Sequence, residues 1–182
     1  IGGTAPLCGG SAMTMTGTIA TRFFGINLNL ASAGTTSLVQ NNTIQNINLT
    51  TSSGSTAGIV IGVSTSGTGG NVTVNGNTVG SSTANNAIVA TTSTTGGAIV
   101  GISNSASGNV AITNNTVGGF AIAGSTPTIS TSCIGITSSG GNNTITGNTI
   151  GSTTVADNML TAASTGTTGG LITGIQCSSS LT

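Results

Sequence analysis

Few side chains in this sequence can do covalent or ionic chemistry. They are three thiols, Cys8, Cys133 and Cys177, one guanidinium, Arg22, and one carboxylate, Asp157, with no His in the 182 residues. General acid–base catalysis needs groups that titrate near the working pH, and nucleic-acid binding needs clustered Lys and Arg. Neither can be assembled from a single cation and a single anion far apart in the chain; Arg22 and Asp157 are expected to be solvated turn residues. The cysteines are too few and too scattered for a disulfide framework or a CxxC-type metal site. They are expected to be small apolar fillers, with one disulfide among them left open. The expectation is therefore a protein without catalytic residues, metal or cofactor, and without nucleic acid as a partner.

What recurs instead is amide and hydroxyl. An Asn-Thr-Ile/Val motif appears at Asn42-Thr43-Ile44, Asn77-Thr78-Val79, Asn115-Thr116-Val117 and Asn148-Thr149-Ile150, at spacings of 35, 38 and 33 residues. If the motif repeats once per coil of a stack, Asn42, Asn77, Asn115 and Asn148 fall in one column, where side-chain amides hydrogen-bond along the stack. A row of ligand-binding amides is the functional alternative. Thr43, Thr78, Thr116 and Thr149 then form a hydroxyl column beside it, with Thr73 and Thr144 on nearby outward positions. A flat, uncharged array of this kind suits ice. The Thr73 position becomes Leu38 and Ala111 in other coils, so a doubled Thr lattice is not sustained.

A second motif shares the period. Gly flanked by apolar residues occurs at Phe24-Gly25-Ile26, Ile61-Gly62-Val63, Val100-Gly101-Ile102, Ile134-Gly135-Ile136 and Thr173-Gly174-Ile175, with the glycines 37, 39, 34 and 39 residues apart. Each Gly stands between two residues expected to point inward, so Gly25, Gly62, Gly101, Gly135 and Gly174 are expected to face outward. The column is then either a tight bend under the coil's own loop or a flat groove against which a chain, a glycan or another solenoid packs. The only aromatics are three Phe. Phe23 and Phe24 are expected in the core or at its edge, and Phe120 is the one candidate for an exposed sugar platform.

The elements that must carry these motifs are strands. Ile and Val alternate with Thr and Asn at a period of two, and clusters of Gly, Ser, Thr and Asn punctuate them. One unit predicts strands over residues 59–64, 71–79 with a bend, and 87–92; the next over 98–103, 109–117 and 127–131. Three short strands per coil of 34 to 39 residues, with no hairpin signal, describe a right-handed parallel β-helix of about five coils, one segment over residues 1–182. Phe24, Ile61, Val100 and Ile134 are expected as one inward column beside Ile26, Val63, Ile102, Ile136 and Ile175. Val39, Val74, Ile112 and Ile145 form a second wall, and Ile44, Val79, Val117 and Ile150 a third. Long loops rich in Ser, Thr and Ala, such as Thr161 to Gly170, join the third strand to the next Gly motif.

Charged residues make up 1% of the chain, against about a quarter in ordinary soluble domains. Regular Ile and Val argue against disorder, and apolar runs of four or five residues are too short for a membrane helix. The expectation is a folded, soluble chain that does not insert into membrane. Ile1 is not an initiator Met, and Ile1-Gly2-Gly3 matches Val117-Gly118-Gly119, so the chain is expected to have a processed start, to open in mid-repeat and to be a fragment of a longer one.

At residues 41–44 (NNTI) and 147–150 (GNTI), joined to the GIVIGVS strand at 58–64, the sequence resembles the parallel β-helix repeats of large secreted and cell-surface bacterial proteins. The likeness is greatest to Bacteroidota proteins exported by the type IX pathway. The resemblance covers nearly the whole chain and implies an extracellular setting within a longer polypeptide. Pectate-lyase-like enzymes share this fold, but they need carboxylates and a base that this segment lacks. The function expected first is a structural segment of a fibre, stalk or filament that associates with itself or with other parts of the same chain. An adhesin recognising glycan, mineral or ice is the alternative, and a polysaccharide-active enzyme a remote one.

Overall fold

The computed structural model describes residues 1–31, 34–161 and 170–179. The interior of the Thr161–Gly170 loop lies outside the described residues. The chain is an all-β parallel solenoid. After a 3-10 turn at Pro6–Cys8, β1 (Met13–Thr16) leads into four successive turns of four strands each. The first holds β2 (Phe23–Leu30), β3 (Ser37–Gln40), β4 (Thr43–Ile44) and β5 (Ile47–Thr51). The second holds β6 (Val60–Gly67), β7 (Val72–Asn75), β8 (Thr78–Gly80) and β9 (Ile88–Thr92). The third holds β10 (Gly97–Asn104), β11 (Asn109–Thr113), β12 (Thr116–Gly118) and β13 (Phe120–Gly124). The fourth holds β14 (Thr131–Ser138), β15 (Asn142–Thr146), β16 (Thr149–Ile150) and β17 (Met159–Thr161), and β18 (Leu171–Cys177) follows.

Equivalent strands stack into four sheets: sheet I (β2-β6-β10-β14-β18), sheet II (β3-β7-β11-β15), sheet III (β4-β8-β12-β16) and sheet IV (β1-β5-β9-β13-β17). Among the described residues every strand pairing is parallel. Each turn thus has four strands rather than the three expected. The segment predicted as one bent strand is split into sheets II and III by a residue in the left-handed region: Asn41, Gly76, Asn114 or Gly147, with φ of 55°, 65°, 55° and 66°. Only Gly and Asn tolerate that conformation at low cost, which is why the motif reads Asn-Asn-Thr in two coils and Gly-Asn-Thr in the other two.

The interior is a continuous apolar column. Ile44, Val79 and Val117 in sheet III, Val39, Val74 and Ile112 in sheet II, and Val63, Ile102 and Ile136 in sheet I are all buried in one cluster. Phe120, expected as an exposed platform, is 1% exposed and belongs to that core. It opens β13, and of the segment expected as a strand, residues 127–131, the first four form the turn that leads into β14 and only Thr131 lies in a strand, as the first residue of β14. Pro127 and Ser125 marked the punctuation, and the strand precedes it.

Phe24, Ile61, Val100 and Ile134 do not line the interior. With Ala98 they form a separate cluster on the outer side of sheet I. The loop at Gly58 lies against this cluster: a Cβ built there would sit 2.6 Å from Ile61 Cγ1 and 3.1 Å from Val100 Cγ2. Arg22 completes the cover. Although exposed, its Nε donates to Gly58 O at 2.6 Å, and its guanidinium lies 4.9 Å from the Phe24 ring centre, within cation–π range.

Candidate functional site

The glycine column follows from that reversal. In sheet I the ladder steps from Ile61↔Val100 to Val63↔Ile102. Between them the strand is distorted in the manner of a bulge, so that Gly62 and Val63 both face the core. A Cβ on Gly62 would sit 2.3 Å from Val79 Cγ1, one on Gly101 2.3 Å from Val117 Cγ1, and one on Gly135 2.6 Å from Ile150 Cγ2. Gly25 likewise faces Ile44. The expected outward groove is therefore absent at these positions. The glycines let sheet I approach sheet III closely, and the alternation that predicted the opposite direction fails at the bulge. Gly174, on β18, has open space around its Cβ position.

The asparagines come together along the stack. Asn77 Oδ1 accepts from the backbone N–H and the Nδ2 of Asn42 at 3.0 and 2.9 Å. Asn115 Oδ1 receives the same pair from Asn77 at 2.9 and 2.9 Å, and Asn148 Oδ1 from Asn115 at 2.9 and 2.9 Å. Each amide then reaches across to a carbonyl of sheet II: Asn77 to Val39 O, Asn115 to Val74 O and Asn148 to Ile112 O, at 2.8, 2.9 and 2.8 Å. Asn77 and Asn115 are 1% exposed, so these two amides are closed to a ligand.

A second buried polar run escaped the sequence reading. Thr65 Oγ1 donates to Asn104 Oδ1 at 2.8 Å, Asn104 Nδ2 to Ser138 Oγ at 2.8 Å, and Ser138 Oγ to Asn143 Oδ1 at 2.6 Å. It turns the corner from sheet I to sheet II. Because its residue types change from coil to coil, no motif announces it; the available signal was polarity two residues after Val63, Ile102 and Ile136, where alternation calls for core. Elsewhere, Asn158 bridges non-adjacent turns. It donates to Ser81 O and Ala84 O at 3.0 and 3.1 Å and accepts from Gly119 N–H at 2.9 Å. The described residues hold no buried side-chain nitrogen or oxygen without a partner.

Thr43, Thr78, Thr116 and Thr149 are in register as neighbours in sheet III, on the side opposite Ile44, Val79, Val117 and Ile150. Beside them, the outer face of sheet II carries Thr73, Ala111 and Thr144 in one column and Asn75, Thr113 and Thr146 in the next. A shallow hollow of about 430 Å³ runs over this face between Asn71, Asn109, Asn142 and Thr144. It is uncharged and has no aromatic wall.

The three cysteines are free thiols. Cys8 and Cys133 are buried as expected of fillers, whereas Cys177 is exposed on β18. Burial pushes the Cys133 thiol from 9.0 up to about 12. Folded Cys133 stays neutral in a range where the unfolded thiol ionises, so unfolding there releases a proton and rising pH favours the unfolded state. Stability is expected to be level from about pH 5 to 9 and then to fall by about 1.4 kcal/mol per pH unit toward 12. Urea denaturation across that range checks this, and Cys133→Val, which copies Val60 in the same column, should remove the Cys133 share of the alkaline fall.

No protein-family model matches the chain, and no curated protein or solved structure matches it either. Among the described residues no helix is long and apolar enough to cross a membrane, and no three His, Cys, Asp or Glu side chains come together.

Proposed function

We propose that this chain is a non-catalytic structural segment of an extracellular or cell-surface fibre, stalk or filament, assembled by stacking coils end on end. The observation that carries the reading is the state of the core where the described strands stop. Ile172 and Ile175 on β18 are 52% and 51% exposed, while Ile99, Ile102 and Ile136 in the same two columns are fully buried. An open strand edge beside an open apolar column invites another coil. In this reading the solenoid is right-handed, counts about five coils including the partial ones at each end, and belongs to a secreted bacterial surface protein of the Bacteroidota type IX kind. Its partners are further coils, from a second copy or from the same long polypeptide, and the Asn–Asn hydrogen bonds hold the stack in register.

Electron microscopy of native material tests the proposal. Extended rods or stalks are expected; dispersed globular particles belonging to no larger chain would sink it. Because assembly rests on apolar columns and backbone hydrogen bonds, it should proceed equally at low and high salt.

The hydroxyl and amide array on sheets II and III favours a second reading, an adhesive face for a neutral glycan, a mineral or ice. Thermal hysteresis in dilute solution checks the ice version, and a glycan array the sugar version. Silence in both would leave the structural reading alone.

A further inference from the structure

One corner of each turn joins sheet III to sheet IV, and its length alternates. In the first and third turns the corner is tight, Gln45-Asn46 and Gly119; in the second and fourth it is a loop, residues 81–87 and 151–158. The two loops are built alike. Each opens at a left-handed glycine, Gly80 at φ 77° or Gly151 at φ 78°. The serine that follows then closes a turn: Ser81 Oγ accepts from the N–H groups of Thr83 and Ala84 at 3.1 and 3.0 Å, and Ser152 Oγ from those of Thr154 and Val155 at 3.1 and 3.0 Å.

The tight corner of the third turn leaves a gap that these loops close from both sides. Asn158, 4% exposed, accepts from Gly119 N–H through Oδ1 at 2.9 Å, and its Nδ2 passes that corner to reach Ser81 O and Ala84 O at 3.0 and 3.1 Å. Ser81 N–H donates to Gly118 O and Phe120 N–H to Asn158 O, each at 2.9 Å. A second link runs outside, from Asn85 Nδ2 to Ala156 O at 2.8 Å. The corner is Gly-Gly because nothing larger fits: a Cβ on Gly118 would lie 2.1 Å from Asn158 Oδ1, and one on Gly119 2.8 Å from Ala84 O. Asn46, Ala87 and Gly119 precede the register partners of Met159 in the other turns, and none of their side chains reaches past an adjacent turn.

A solenoid ordinarily gains its stability from each coil and from contacts between nearest neighbours. Here one side chain spans three levels. We propose that Asn158 is a strap that locks the second, third and fourth turns into one block, which opens as a unit rather than coil by coil. The strap stands on its own geometry, whatever the chain assembles into.

Hydrogen exchange of the 182-residue chain, read residue by residue, tests the strap. The backbone N–H groups of Asn77 and Asn115 lie at another corner, between sheets II and III, and bond to the next asparagine along the stack. Asn158→Ala should speed exchange at Asn77 and Asn115 by the same factor as at Ile88 and Phe120 beside the strap. That factor should be at least about tenfold, since the three side-chain bonds lost are worth about 1 kcal/mol each. The rise at Phe23, in the first turn, should be smaller. Asn158→Asp is a version that can be switched. Its carboxylate still accepts from Gly119 N–H but opposes the carbonyls of Ser81 and Ala84, so its folded pKa stands above the unfolded one. The disruption is then full at neutral pH and relaxes as pH falls through the folded value, where the protonated carboxyl donates to one carbonyl. Asp157, exposed beside it, is the one native side-chain carboxylate. Exchange corrected for its intrinsic pH dependence should therefore slow from about pH 7 to about 4 more than in the parent chain, and this variant decides the matter if Asn158→Ala does not fold. Acceleration confined to Gly119 and the two loops, with Asn77 and Asn115 unchanged, would overturn the block. An equal acceleration at Phe23 would overturn it too, by making the stack a single unit.

Discussion

Gly101→Ala should cost about 3 kcal/mol or more, a loss large enough to unfold part of the solenoid. The added methyl would lie 2.3 Å from Val117 Cγ1 and 2.6 Å from Gly135 O. A side chain can shift, but that carbonyl is held between stacked strands, so relief requires moving sheet I away from sheet III. Overpacking in a close-packed interior costs typically 1–3 kcal/mol and more where backbone is in the way. In a solenoid each coil is supported by its neighbours, so the loss spreads to them. Gly174→Ala is the matched control: the same change in the same motif, in open space, expected to alter stability by about 0.5 kcal/mol or less. Adding Val117→Ala to Gly101→Ala should return part of the loss, because it removes one of the two clashes. Urea denaturation of the three variants beside the parent chain decides the matter. Equal, small effects at Gly101 and Gly174 would mean that the glycines face outward after all.

Asn115→Ala should cost about 4 kcal/mol. Asn115 Oδ1 accepts two hydrogen bonds from Asn77, and its Nδ2 serves both Val74 O and Asn148 Oδ1. Truncation removes all four and strands the Asn77 backbone N–H in a site without solvent. A net hydrogen bond is worth about 1 kcal/mol, and a buried donor left unpaired costs a further 1–3 kcal/mol. The same change at Asn148, which is half-buried at the end of the run, should cost about half as much. If Asn115 were one of a row of binding amides, its loss would instead leave stability nearly unchanged and weaken a ligand.

The parallel solenoid was legible because two unrelated motifs kept one period and because alternating Ile, Val and Thr specify strands. Alternation alone could not reveal where it breaks. Ile61-Gly62-Val63 looks like in-out-in, yet the bulge makes it out-in-in, and one slipped position reverses the face of a column. That single displacement moved Phe24, Ile61, Val100 and Ile134 to an outer cluster and turned the glycines inward. Phe120 was misplaced for a related reason. The tight turn at Gly118 and Gly119, where Asn158 fills the space a Cβ on Gly118 would occupy, brings β13 forward to begin at the Phe. The buried run Thr65–Asn104–Ser138 was invisible because hydrogen bonding, not residue identity, is what its column preserves.

The functional reading therefore no longer draws on a glycine groove. It rests on the open ends, where columns closed everywhere else meet solvent, and on a surface with little but amide and hydroxyl to offer. The most direct test is cryo-electron microscopy of native material that contains this chain. The account predicts rods or stalks whose strands stack at about 4.8 Å along the axis. Dispersed globular particles belonging to no larger chain, with the edges of β2 and β18 facing solvent, would contradict it.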